Sequence, residues 1–276
     1  MKRISALLTA IAMTAGLTGC FGAQKQVEST ADGLLSDFAT DDTAFAFEGA
    51  VGAVTIKPST DGQVHTDVSY TARGFSSSVL EEILDETELK TSSDNGVFRL
   101  SFVKKGTDTP IWKAVEDEHS NYTIDVKAEI SVPETMTGFS IRTNVGSVTV
   151  EDISGTMDIT SDVGNIMVNG AALQGDSKFI TNVGNVNLSL TEALPENSQT
   201  EFSSDTGNIE VQLSGKPEKG SAVSMKTNVG NITFGTAGTA FTKNIEKGTA
   251  GGSGTVSFGD GCTADVSADV GKINVK

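Results

Sequence analysis

The residues best placed to do chemistry are Asn144, Asp162, Asn182, Asp205, Asn228 and Asp269, which hold one position of a recurring octet and alternate amide with carboxylate. Lined up along one edge, three carboxylates among amide oxygens could bind a hard cation such as Ca²⁺, which gathers six to eight oxygens within about 2.6 Å. Alternation, however, sets like charges about two strand spacings apart, roughly 10 Å. That spacing suits a structural corner ladder, in which each side chain bonds to backbone or to the next repeat, better than an ion cage. The ladder is therefore the expectation, with no metal and no cofactor, and a Ca²⁺-stabilised binding stack is the rival.

Other reactive side chains form no constellation. His65 falls in a strand and His119 in a charged loop, without a Cys partner, so neither a zinc site nor a triad is expected. Cys262 sits in the turn-rich Gly259-Asp260-Gly261-Cys262-Thr263 with no His nearby and reads as a small half-buried residue. The acidic groups Glu81, Glu82, Asp85, Glu86 and Glu88, and then Glu116, Asp117 and Glu118, read as a solvated helix face and a loop. A polysaccharide-active β-helix enzyme would need paired carboxylates and exposed aromatic platforms. Trp112, Tyr70 and Tyr122 all precede the repeats, so no catalytic residue is assigned and the enzyme stands as an alternative only.

Cys20 is the one residue with an assigned modification. Lys2 and Arg3 precede an apolar run from Ile4 to Leu17 that is too short to anchor a chain across a bilayer. The run ends in Leu17-Thr18-Gly19-Cys20, which resembles the lipobox of bacterial lipoproteins and implies cleavage before Cys20 and lipidation of its thiol. Residues 1–19 are thus expected to be a signal peptide, and residues 20–42 a lipidated cysteine and flexible tether. The protein is placed in the cell envelope, extracytoplasmic, with a membrane as partner through two or three acyl chains. With Cys20 consumed, Cys262 is left without a disulfide partner.

Of 276 residues, 36 are Asp or Glu and 20 Lys or Arg, a net charge of −16. Loss of Lys2 and Arg3 leaves 18 bases against 36 acids, or −18. Such a surface repels phosphate backbones, so nucleic acid is not expected as a partner. A hydrophobic share of 37% with 30 glycines points to thin-cored modules of many short strands.

The elements that must position these residues follow from periodicity. Alternation at Phe45-Ala46-Phe47, Val51 to Ile56, Val64 to Tyr70, Val97 to Phe102 and Tyr122 to Val132 predicts half-buried strands, and Val79 to Leu84 predicts one short helix. Residues 43–133 are read as a β-rich N-terminal cap. After Pro133 the octet recurs at Thr143–Val150, Ser161–Val168, Thr181–Leu188, Ser204–Val211, Thr227–Phe234 and Ala268–Val275, with Gly254–Phe258 as a candidate degenerate copy. A repeat of about 20 residues marks a solenoid, assigned to residues 134–276 as seven or eight coils.

A hairpin at Asn144-Val145 would need positive φ at a β-branched valine, and shifting the loop by one residue mixes the two faces. A corner avoids both problems: Asn and Gly take the unusual dihedrals, Val145 plugs the bend from inside, and Ile141 meets Val148 across a thin core. Further corners are expected at Ser154-Gly155, Gln174-Gly175 and Ser214-Gly215. The fold class is all-β, a parallel β-solenoid with a β-rich cap.

The lipobox, the strand pair around Val51-Gly52-Ala53-Val54, the Ile130-Ser131-Val132-Pro133 strand end and the Asn/Asp-Val-Gly-Asn-Val/Ile units together resemble the toast-rack family of proposed bacterial adhesins. The resemblance covers about residues 44 to 276. It implies a β-solenoid on the outer face of the cell envelope and offers no catalytic residues. The expected role is a non-enzymatic adhesion, structural or envelope-associated interaction module, with an envelope protein or glycan as a further partner.

Overall fold

The computed structural model describes residues 8–12 and 26–276. The lipobox, Cys20 and most of the expected signal peptide lie outside the described residues. The chain opens with β1 (Leu8–Ala12), β2 (Val27–Phe38), β3 (Ala44–Val51), β4 (Val54–Ser59) and β5 (Val64–Gly74). There follow α1 (Ser77–Asp85), β6 (Thr87–Asp94), β7 (Val97–Lys104), α2 (Ile111–Glu118) and β8 (Thr123–Pro133). The repeats supply β9 (Gly138–Val145) and β10 (Val148–Glu151), β11 (Ser154–Val163) and β12 (Ile166–Leu173), then β13 (Ser177–Val183) and β14 (Val186–Leu190). They continue as β15 (Gln199–Thr206) and β16 (Ile209–Leu213), then β17 (Ala222–Val229) and β18 (Ile232–Thr236). The chain closes with β19 (Thr242–Lys247), β20 (Gly252–Gly259), β21 (Cys262–Val270) and β22 (Ile273–Val275).

Each strand pair bends at its glycine and stacks in parallel on the pair before it. A front sheet runs β3-β9-β11-β13-β15-β17-β21. A back sheet runs β4-β10-β12-β14-β16-β18-β22. The solenoid is therefore parallel, as the corner argument requires. Its first coil is β3–β4, inside the residues assigned to the cap, because Ala44 to Val51 pair with Gly138 to Val145. The expected boundary at residue 133 does not separate two stacks.

The core lies between the sheets and is built from equivalent positions of successive coils. Phe47, Ile141, Ile159, Phe179, Phe202 and Met225 stack along the front sheet, facing Ile56, Val150, Val168, Leu188, Val211 and Phe234 from the back, and all are buried. Phe179 and Phe202 stack with ring centroids 5.2 Å apart and planes inclined by 9°. Ile141 and Val148 are fully buried on either side of the first repeat corner, as expected.

Both ends of the stack finish in antiparallel strands, reached at the N-terminal end through β7 and β8, which add in parallel to β3 and β4. At the N-terminal end β7 and β6 extend the front sheet and β8, β5 and β2 the back sheet, with α1 against β2 and β5 and α2 against β7 and β8. At the other end β20 runs antiparallel to β21, and β19 to β20. Gly254–Phe258 is thus part of a closing hairpin and not a degenerate coil. Phe258 covers Phe234 in an edge-on contact at 6.0 Å and meets Phe241 at 5.9 Å, sealing the apolar interior of the last coils.

Two other expectations are corrected. Residues 27–38, assigned to the tether, form β2 and pair with β5 from Val27–Gly74 to Phe38–Val64, burying Ser29 and Ala31. The backbone of Leu8–Ala12, within the expected signal peptide, pairs antiparallel with Glu28–Asp32. Glu116, Asp117 and Glu118, read as loop, end a second helix that buries Ile111, Ala114 and Val115. The short helix read at Val79–Leu84 is present as α1 and buries Leu80, Ile83 and Leu84.

The largest correction concerns the corner. Val145, Val163, Val183, Val229 and Val270 are 48, 45, 48, 49 and 49% exposed, so they do not plug the bend. The interior of the corner is filled by backbone. A Cβ on Gly146 would lie 1.5 Å from the Gly52 oxygen, and on Gly164, Gly184, Gly207, Gly230 and Gly271 between 1.5 and 2.0 Å from the preceding glycine oxygen. Main-chain bonds continue through the bend: Gly164 N donates to Val183 O at 2.9 Å and Ile166 N to Asn185 O at 2.8 Å. Buried hydroxyls hold the same carbonyls, with Thr181 Oγ1 donating to Gly164 O at 2.9 Å, Ser204 Oγ to Gly184 O at 2.8 Å and Thr227 Oγ1 to Gly207 O at 3.0 Å.

Two stability outcomes follow. Gly184→Ala forces coils apart and should cost about 2–4 kcal/mol by chemical denaturation. Val145→Asp, which a plugged corner would make severe, should cost no more than about 1 kcal/mol, since the carboxylate reaches water, while Ile141→Asp should prevent folding.

Candidate functional site

The six predicted corner residues do line up along one edge of the stack, on the outward side of the front sheet. Their bonding is pairwise: Asn182 Nδ2 donates to Asp162 Oδ1 at 3.4 Å and Asn228 Nδ2 to Asp205 Oδ1 at 3.0 Å. Asp162, Asp205 and Asp269 lie on alternate coils, about 10 Å between neighbours, too far for two carboxylates to share one cation. Among the described residues no group of three metal-ligating side chains converges.

A continuous ladder exists, but three residues further along, on the asparagines that follow four of the six corner glycines. Asn165 Oδ1 accepts from Asn185 N at 2.8 Å and from Asn185 Nδ2 at 3.1 Å. Asn185 Oδ1 accepts from Asn208 N at 2.8 Å, Asn208 Oδ1 from Asn231 N at 2.9 Å and Nδ2 at 3.1 Å, and Asn231 Oδ1 from Lys272 N at 3.0 Å. Each carboxamide thereby satisfies a main-chain donor left over by the bend. The recurrence of Asn165, Asn185, Asn208 and Asn231 right after the corner glycines is the sequence signal of this ladder. Asn185→Ala should cost about 1–2 kcal/mol by orphaning the Asn208 N–H, whereas Asn144→Ala should be close to neutral in the same measurement.

A groove of about 590 Å³ runs along the outer face of the front sheet. It exists because successive coils are in register, so side chains that alternate outward form two rows with a trough between them. Thr156, Asp176, Gln199 and Ala222 form one wall, and Asp158, Lys178, Glu201, Ser224 and Asp265 the other. The floor passes Met157, Ser177, Thr200 and Val223, whose side chains belong to the interior. None of these residues was singled out from the sequence, because membership depends on cross-coil register.

The groove's carboxylates are all engaged. Asp158 pairs with Arg142 at 3.4 Å and Glu201 with Lys178 at 3.4 Å. Asp176 Oδ1 accepts from Gln199 N at 2.8 Å and Asp265 Oδ1 from Thr255 Oγ1 at 2.8 Å. Held this way, they present spare acceptor lone pairs to the groove. No exposed aromatic ring lines the trough.

Remaining candidates sit apart from it. Cys262 is fully buried, its thiol donating to Glu218 O at 2.8 Å. His119 packs edge-on against Tyr122 at 6.0 Å. His65, on β5, is clasped between two acids at the N-terminal end, Nδ1 2.7 Å from Asp37 Oδ1 and Nε2 2.7 Å from Asp61 Oδ1. Hydrogen bonding to Asp37, then to Asp61, raises its pKa above the ordinary 6.5, and His65 in turn holds Asp61 below 3.8. A raised imidazole pKa stabilises the fold fully below 6.5 while the acids are ionised, and the contribution disappears as pH rises through the raised value. The melting-temperature gap between the native chain and His65→Gln should therefore be widest at about pH 5–6 and close at higher pH.

One family model and two solved structures resemble this chain. Residues 118–233 match the family described as Toastrack DUF4097. A Bacteroides fragilis structure described as "a putative adhesin" aligns at 18% identity and TM-score 0.46, covering 94% of this chain and 100% of its own. A Clostridium sporogenes structure described as "a putative cell adhesion protein" aligns at 10% identity and TM-score 0.36, covering 88% and 99%. No curated protein matches significantly. Among the described residues no helix is long and apolar enough to cross a membrane.

Proposed function

We propose, from the match of residues 118–233 to the Toastrack DUF4097 family, that this chain is a lipid-anchored extracytoplasmic solenoid that binds neutral, hydroxyl-rich envelope glycan along the front-sheet groove. The observation that carries the reading is the groove itself, whose walls offer fixed acceptors at Asp158, Asp176, Glu201 and Asp265, with Gln199 and a single cation, Lys178. Sugar hydroxyls donate well to such oxygens, and an anionic polymer would be repelled. An in-register trough also suits an extended chain, since equivalent groups recur about every 4.8 Å. The adhesin descriptions of similar structures support a binding role over an enzymatic one. The engaged carboxylates support it too, because a glycosidase needs one acid free to protonate and another free to attack.

The test uses the full-length chain in detergent and neutral polysaccharide extracted from the producing bacterium. Binding is expected, and Gln199→Ala combined with Ser224→Lys should weaken it about tenfold without moving the melting temperature. Binding that ignores these substitutions would refute the groove, and shortening of the polysaccharide would establish the enzyme instead. Anchoring is tested separately: the native chain should incorporate labelled palmitate, and Cys20→Ala should abolish the label and retain Met1–Gly19.

A further inference from the structure

The corner edge carries a second surface that the groove does not use. Val145, Val163, Val183, Val229 and Val270 stand half-exposed in one row, with exposed Thr206 in the place of a sixth valine, and the register pairs them coil on coil. Stacking on one another covers part of each side chain and leaves an apolar stripe at the outermost bend. Beside it, toward the front sheet, runs the row Asn144, Asp162, Asn182, Asp205, Asn228 and Asp269, in which carboxylate and amide alternate without interruption.

We propose that this edge is an isologous docking surface for a second copy of the chain, with the two stacks antiparallel about a two-fold axis perpendicular to the stacking direction. That axis brings front-sheet side to front-sheet side and reverses the coil order. Because the row has even length and strict alternation, reversal sets every Asp against an Asn: Asn144 meets Asp269 of the second copy, Asp162 meets Asn228, and Asn182 meets Asp205. Each contact can then be a carboxamide donating to a carboxylate, and no two like charges face one another. The same operation sets Val145 against Val270, Val163 against Val229 and Val183 against Thr206, closing the stripe on itself. On the other flank the ladder residues Asn165, Asn185, Asn208 and Asn231 meet one another as neutral amides. The stripe is narrow compared with the roughly 800 Å² per partner of a standard interface, and each copy carries −16, so the pairing is weak and reversible.

Position-specific cross-linking tests the arrangement on purified full-length chains in detergent. Val163→Cys and Val229→Cys chains, mixed and mildly oxidised, should form disulfide dimers at least ten times more abundantly than either chain alone. The buried Cys262 contributes only the background seen in the unsubstituted chain. Self-cross-linking of Val163→Cys as efficient as the mixture would overturn the antiparallel axis. Yields no higher than those of a Ser224→Cys control would overturn the docking surface. As a check independent of cysteine, sedimentation should show concentration-dependent dimers that Asn182→Asp weakens and Asn182→Asp with Asp205→Asn restores. A monomer at all concentrations would count against the proposal.

Discussion

The structure depends on one close approach: the corner-glycine carbonyl of each coil occupies the space where a Cβ on the next corner glycine would stand. Strands of neighbouring coils keep their main-chain bonding distance through the bend only because nothing but hydrogen projects there. Once that contact is made, the rest follows in order. Register is set, so Phe stacks on Phe and Val on Val; hydroxyls of Ser161, Thr181, Ser204 and Thr227 reach the glycine oxygens; and side chains after the glycine find the donors of the next coil. The last coil has Ala268 at the hydroxyl position, and there the closing hairpin takes over.

Much of the coil architecture was legible because glycine is the one residue whose recurrence has a steric meaning that survives sequence drift. The direction of valine was not. Alternation places Thr143 and Val145 on one face, and apolar character suggested that the valine is inside, but alternation fails at a bend. The hydroxyl wins the interior because an unpaired glycine carbonyl would cost more than an exposed isopropyl group. The Ser or Thr two residues before the corner position in the first five repeats, whose side chain reaches the glycine carbonyl in the repeats with Ser161, Thr181, Ser204 and Thr227, carried that information. Strand direction was equally hidden at Gly254–Phe258, since period-two patterning is the same for parallel and antiparallel neighbours. β2 shows no apolar alternation because its fully buried positions are the small Ser29 and Ala31, while Val27, Leu34 and Phe38 are only partly buried against the core. The groove could not be read at all, since its walls come from residues scattered across five strands.

Chemically, the two outward surfaces differ in a way that matches different tasks. On the front face, carboxylates are held by lysine, arginine, a hydroxyl and a backbone amide, so the surface is fixed in advance and offers acceptors. At the corner edge, half-exposed valines face outward beside amides and carboxylates bonded only pairwise between coils. A preorganised polar trough suits recognition of a chain of hydroxyls, and a narrow apolar seam suits transient contact between like molecules.

The excursion between β18 and β21 shows how the architecture tolerates change. The 25 residues 237–261, including β19 and β20, leave the stack after one coil and return to it, yet Ile232 still pairs with Ile273 and Val229 with Val270 as though nothing intervened. Each floor of the building recognises only the floor beneath, so duplication or deletion of a whole storey preserves every remaining joint. Lineages of such proteins can therefore vary in height in steps of about 4.8 Å while their cross-section stays constant, giving evolution a ruler whose graduations are set by hydrogen bonding.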